Sequence, residues 1–191
     1  MKDPRLLFVA TPPPDFVEAI LQVLREHGLE RELGAALFAP TNWHQSLSGR
    51  IFNPSRTDVA LLRAVGSRVA AHACTLQYNR IDSKADDEGN IHVTLRAKGL
   101  PKAFKSLLQA LRQPLVEHGY GHLATNNSPH STLSYKAPSL IGKIDISPTL
   151  DWTISELLLV LGDGTPYRYE IMDRWLLLPE RDPIANQTGL F

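Results

Sequence analysis

A strand–helix–strand pattern is used twice in this chain, and such self-similarity restricts the fold more than any single residue does. Arg5-Leu6-Leu7-Phe8-Val9-Ala10 reads as a short apolar strand, followed by Pro-Pro-Pro-Asp and a helical run from Phe16 to His27. Ile91-His92-Val93-Thr94-Leu95-Arg96 reads as a second such strand, with Lys98-Gly99-Leu100-Pro101 leading to a helical run that ends near Glu117. An offset of 86 pairs Leu6 with His92, Leu21 with Leu107, His44 with His130, Ser46 with Thr132 and Leu47 with Leu133. The tetrapeptides His44-Gln45-Ser46-Leu47 and His130-Ser131-Thr132-Leu133 occupy equivalent places. Alternate strand side chains share a face, so His44 lies beside Ser46 and His130 beside Thr132.

About 0.1 copies of His-x-Ser/Thr-Leu are expected by chance in a chain of this composition. A third copy, His92-Val93-Thr94-Leu95, falls on the opening strand of the second unit, opposite Leu6, and is read as a decoy.

Coarse patterning fills in the rest. Phe16, Val17, Ile20, Leu21 and Leu24 form a helical stripe closed by Gly28. Ala36–Ala39 and Trp43–Leu47 are expected to form the first motif strand, interrupted near Pro40. Arg56–His72 reads as a helix capped by Thr57-Asp58, and Cys74–Ile81 as a strand. The acidic stretch from Asp82 to Asn90 is taken as the boundary between halves. Ser139–Pro148 is expected to be loop or irregular strand, and Trp152–Leu161 with Tyr167–Leu178 a terminal hairpin. The expectation is an α+β fold of two pseudo-symmetric lobes in one domain over 1–179, with repeat halves at about 5–81 and 91–178 and a tail at 180–191.

Composition limits the function classes. At 191 residues, 43% hydrophobic and 21% charged, the chain suits a globular protein with a substantial core. Zero net charge supplies no overall field for long nucleic acid, so a nucleic-acid substrate should be short, an end, or held by a local patch. One cysteine, Cys74, excludes an intrachain disulfide. The first apolar run is too short for a signal peptide, and no stretch reaches the roughly 18 apolar residues of a membrane span. A cytoplasmic monomer, with no membrane and no protein partner, is the expectation.

Two imidazoles beside two hydroxyls suit metal-free chemistry on a phosphodiester. In-line attack of water on a 2′,3′-cyclic phosphate needs a base near the water and an acid near the departing ribose oxygen. Histidine can take either part near neutral pH. Neighbouring hydroxyls can donate to the non-bridging oxygens, where transition-state charge must be stabilised.

The two motifs, the opening strand and helix, Ser128-Pro129-His130-Ser131-Thr132-Leu133-Ser134-Tyr135 and the closing Trp175-Leu176-Leu177-Leu178 resemble the two-histidine (2H) phosphoesterases. The likeness is to the bacterial 2′-5′ RNA ligase and RNA 2′,3′-cyclic phosphodiesterase branch and covers roughly 4–179. It implies two α+β lobes with both motifs in the central cleft. It further implies His44 and His130 as the catalytic pair, with no metal and no cofactor, and RNA ends or small cyclic nucleotides as substrate. By the same resemblance His130 activates water and His44 protonates the leaving oxygen. The alternatives it leaves open are a 2′-5′ ligase or 2′-5′ phosphodiesterase in the same cleft, and a non-catalytic RNA- or nucleotide-binding module. Ser46 stands where Thr is more usual in the family, and Gln45 and Ser48-Gly49-Arg50 are more polar than its common continuation.

Ser46 and Thr132 are the candidate phosphate-binding hydroxyls, with Arg50 and Lys136, just past the motifs, as further phosphate contacts. Trp43, one residue before His44, and Tyr135, three residues past Thr132, fall out of phase with the catalytic positions and are expected to face inward. Tyr167 or Tyr169 of the last hairpin is expected within reach of the cleft. Gly119 and Gly121 argue against a metal site at His118-x-x-x-His122.

Overall fold

The computed structural model describes residues 3–126 and 128–181. Its elements are β1 (Arg5–Ala10), α1 (Pro14–Glu26), α2 (Leu29–Leu33), β2 (Gln45–Phe52), α3 (Arg56–Ser67), β3 (Cys74–Ala85), β4 (Ile91–Ala97), α4 (Lys102–Glu117), β5 (His130–Ser134), β6 (Ile144–Ile154), β7 (Glu156–Asp163) and β8 (Arg168–Leu176). The strands form one eight-stranded sheet in the order β6-β3-β4-β5-β2-β1-β7-β8, with neighbours antiparallel. This is the expected α+β class.

Strand alternation sorts the sheet into two faces. Leu6 and Phe8 of β1, Leu157 and Leu159 of β7, and Val93 and Leu95 of β4 join the main core with the apolar stripes of the helices. Phe16, Ile20 and Leu24 serve for α1, Leu62 and Val65 for α3, and Phe104, Leu107, Leu111 and Leu115 for α4. Leu7 and Val9 point the other way and form a small second cluster with Leu158, Val160 and Tyr169. Cys74 lies in the main core, where burial pushes its thiol up to about 12 and removes it as a nucleophile.

The halves of the sheet are not the halves of the sequence. One half is β5-β4-β3-β6 and the other β2-β1-β7-β8. β3, from the first part of the chain, pairs with β4 and β6, whereas the C-terminal β7 and β8 complete the side begun by β1 and β2. The acidic stretch is therefore no inter-lobe boundary. Asp82 to Ala85 extend β3, pairing with Ile91–Thr94 of β4, and only the residues between form the hairpin turn.

Other expectations shift for local reasons. Ala36–Ala39 is not a strand: Gly34–Ala36 and Pro40–Asn42 are 3-10 turns, and the motif strand starts at Gln45. α3 stops at Ser67 and is capped by Ser55, whose side chain accepts from the Asp58 N–H while Asp58 accepts from the Ser55 N–H, a reciprocal capping box. Trp152–Leu161 is not one strand: β6 ends at Ile154 and β7 begins at Glu156. The chain after Leu178 is tied down as far as it is described. Glu180 accepts from the Thr75 N–H and hydroxyl, and Arg181 Nε donates to His72 Nε2. The remainder of the expected tail, 182–191, lies outside the described residues.

Candidate active site

The two motif strands touch at a single register pair, Gln45 with Ser131. Beyond it the edge of β5 is taken by the loop before β2, where the Phe38 N–H donates to the Leu133 carbonyl at 2.8 Å. The strands splay at this seam, and the cleft opens there.

Alternation then works as the motifs require. Trp43, Gln45 and Leu47 are buried, as are Ser131 and Leu133, whereas His44, Ser46, His130 and Thr132 are half-buried on the opposite face. All four line a single cavity of about 270 Å³, with Arg50 at its wall. His44 stands at the entrance to β2 and His130 is the first residue of β5. Each ring is fixed in the same way. His44 Nδ1 lies 2.8 Å from the Asn42 carbonyl and His130 Nδ1 2.9 Å from the Ser128 carbonyl, two residues back in each case. A carbonyl can only accept, so both Nδ1 atoms carry the proton and both Nε2 atoms are left for chemistry. Burial lowers the pKa of His44 below the usual 6.5; its hydrogen bond to Asn42 opposes this, while nearby Arg50 and His130 add to it. His44 is therefore neutral at neutral pH.

Gln45, a polar residue under the face that carries the two motifs and fully buried, was not foreseen as part of the site. Its Oε1 accepts from the His130 backbone N–H (2.8 Å) and the Tyr78 hydroxyl (3.3 Å), and its Nε2 donates to the Ser46 carbonyl (2.9 Å). One amide thus joins both motifs across the seam. Ser48 has a comparable structural use. The β1–β2 register shifts between Leu7 and Val9, and there Ser48 Oγ accepts the Phe8 N–H (2.9 Å).

Of the two candidate cations, Arg50 lines the cleft and Lys136 does not; Lys136 is exposed beyond the end of β5. Tyr135 is not a core residue. β5 ends at Ser134, which is buried like Leu133, so alternation breaks and Tyr135 turns into the cleft, its ring against Phe38 and His92. Trp43 is buried as expected. Tyr169 meets His44 edge-on with ring centroids 5.0 Å apart, and Tyr167 packs on Tyr169. His122 also lines the cavity, carried there by the short turn after α4. His118 is separate, its Nδ1 donating to the Pro114 carbonyl. Among the described residues no cluster of three or more His, Cys, Asp or Glu is arranged to hold a metal ion.

His92 is no bystander. Val9 pairs with Ser46 and Thr94 with Thr132, so the equivalent of Thr94 is Val9 and that of His92 is Leu7, an offset of 85 on this strand. A slip of one residue exchanges faces. His92 faces the cleft, with Nε2 3.1 Å from Asp86 Oδ2.

A scan of the sequence against family models finds no match, and neither does a search of curated proteins. Solved structures do match in fold. LigT of E. coli complexed with 3′-AMP superposes with a TM-score of 0.73 at 21% identity, covering 93% of this chain and 99% of that one. A protein described as a phosphoesterase gives 0.71 at 22% identity, covering 91% and 98%. TT0787 of Thermus thermophilus gives 0.69 at 18% identity, covering 93% and 100%. The chain has the LigT-like fold over nearly its whole length.

Proposed function

We propose that this protein is a 2H phosphoesterase, a metal-independent phosphodiesterase that opens 2′,3′-cyclic phosphate ends of RNA or of small nucleotides. The observation that carries the reading is the matched pair of histidines. Both are held by Nδ1 on a carbonyl two residues back, and both share one cleft with Ser46 and Thr132. The LigT-like fold, with E. coli LigT solved in complex with 3′-AMP, supports it.

The environment of His44 argues for roles opposite to those the resemblance implies. Burial holds His44 neutral, so its Nε2 takes the proton from water as the water oxygen attacks phosphorus. The bond from phosphorus to one ribose oxygen breaks, and His130 Nε2–H gives that oxygen its proton. Ser46, Thr132 and Arg50 face the non-bridging oxygens. The reading takes residues 1–179 as one bilobal unit acting as a monomer, and a reducing, cytoplasmic setting suits its lone buried thiol.

A panel of nucleoside 2′,3′-cyclic phosphates, cyclic-ended RNA and 2′-5′ dinucleotides tests the reaction. Turnover of the 2′-5′ linkage alone selects the alternative enzyme, and tight binding without turnover selects a binding module. His44→Ala and His130→Ala should each lower the chemical rate by ~10²–10⁴, and the double variant should be far less than multiplicatively worse. A substrate with a very good leaving group should rescue His130→Ala more than His44→Ala; the reverse result would exchange the two roles.

A further inference from the structure

The cleft has two unlike flanks. Towards β8 a recess of about 340 Å³ runs from His44 past Leu37, Phe38, Pro166 and Tyr169. Arg5, the one arginine or lysine among the described residues that line it, sits over the Phe52 ring with 5.3 Å from the guanidinium carbon to the centroid. Towards β3 and β4 a recess of about 470 Å³ starts at His130 and Thr132 and is lined by Arg50, Lys84, His92 and Arg96. Register explains the charge. On the β3–β4 hairpin Lys84 pairs with His92, Asp82 with Thr94 and Arg80 with Arg96, while the intervening Ile81, Val93 and Leu95 face the core.

Of the carboxylates of this flank, Asp82 and Asp86 are already engaged, and Asp87, which also lines the recess, is solvent-exposed. Asp82 binds Arg96 (2.7 Å), Arg80 (3.2 Å) and the Thr94 hydroxyl (3.0 Å). Asp86 accepts from the Glu88 and Asn90 N–H groups and pairs with His92. Arg50 and Lys84 form no ion pair with any described residue. These two cations, unpaired among the described residues, flank a recess that reaches His130 and Thr132.

We infer that the β3–β4 flank is a second anion subsite, which takes a phosphate one nucleotide unit removed from the reacting one while the base lies on the tyrosine flank. The inference rests on the phosphodiesterase reading for the first phosphate. The ligand class is a nucleotide with at least two separated phosphate groups. It is either the end of an RNA chain or a small nucleotide with a 5′-phosphate or diphosphate.

Calorimetry tests this without turnover. Adenosine 3′,5′-bisphosphate should bind the intact protein about tenfold more tightly than adenosine 3′-phosphate, the worth of one charge-assisted hydrogen bond. Lys84→Gln should erase most of that difference. Lys143→Gln, at the exposed Lys143–Asp145 pair beside β6, should preserve it. Equal affinities in the unaltered protein, or a preference that survives both Lys84→Gln and Lys84→Glu, would overturn the subsite. A trinucleotide 3′-phosphate and adenosine 3′-phosphate 5′-diphosphate separate the two sources. A Lys84-dependent gain for the first supports an RNA end, and for the second alone a small nucleotide. A Lys84-dependent preference together with no hydrolysis of any cyclic phosphate would keep the subsite and remove the reaction.

Discussion

At the scale of single residues, two side chains carry predictions that the motifs alone would not suggest. Replacing Gln45 by Leu leaves the His130 N–H and the Tyr78 hydroxyl without their acceptor in a buried seam. Urea denaturation should show a loss of about 1–3 kcal/mol, and kcat per folded molecule should also fall, because His130 is no longer held against β2. A stability loss with unaltered kcat would make Gln45 structural only. His92→Ala should raise KM several-fold with kcat little changed, since His92 lines the charged flank and the proton transfers are assigned elsewhere. A kcat loss on the scale of His130→Ala would bring it into the chemistry. The four motif residues were legible because period-two alternation and the pairing of imidazole with hydroxyl are local properties. His92 was misread through a register one residue out, Tyr135 because β5 ends at Ser134 and alternation does not extend to it, and His122 because long-range packing brings it in.

At the scale of elements, α3 docks on β8 through Gly66, where a Cβ would overlap the Trp175 ring. Gly66→Ala should destabilise the fold by about 1–3 kcal/mol, as overpacking does, with kcat per folded molecule retained. Thermal melting beside an activity assay checks both halves of that statement. Helix positions were readable from apolar stripes, and so was each unit's opening strand. The errors share a cause. A strand whose outward face is charged looks like a turn, and Asp82 reads as loop because the sequence does not show Arg80 and Arg96 converging on it. The break at Ser155 is hidden because no glycine or proline marks it between Ile154 of β6 and Leu157 of β7.

At the scale of the whole molecule, protonation links activity to stability. The folded state holds His44 below its usual 6.5, whereas the unfolded chain titrates at about 6.5. As pH falls below that value the unfolded state takes up its proton first, so stability present above it is progressively lost. The acid limb of kcat/KM should therefore lie below pH 6.5, and His44→Asn should flatten the acid side of the stability–pH curve. An acid limb above 6.5 would contradict a base that its surroundings hold neutral. No helix among the described residues is long and apolar enough to cross a membrane. The strand–helix–strand order of β1, α1 and β2 and of β4, α4 and β5 was legible because it rests on local pattern. The crossing of chain halves between sheet halves was not, because strand partners are chosen by burial across the sheet.

That crossing has a consequence for how the protein is made. β1 is paired on one edge by β2, but its other edge waits for β7, whose Leu161 meets Leu6. A ribosome adding about 5–20 residues per second leaves that edge open for roughly 7 to 30 seconds. During that interval the nascent chain presents an unpaired strand bearing Leu7 and Val9, a surface prone to wrong partners. Tyr169, the wall behind His44, arrives later still. His44 and His130, the proposed catalytic pair, are synthesised well before the cleft they line can close, so a chain interrupted before β8 contains both motifs and no complete cleft.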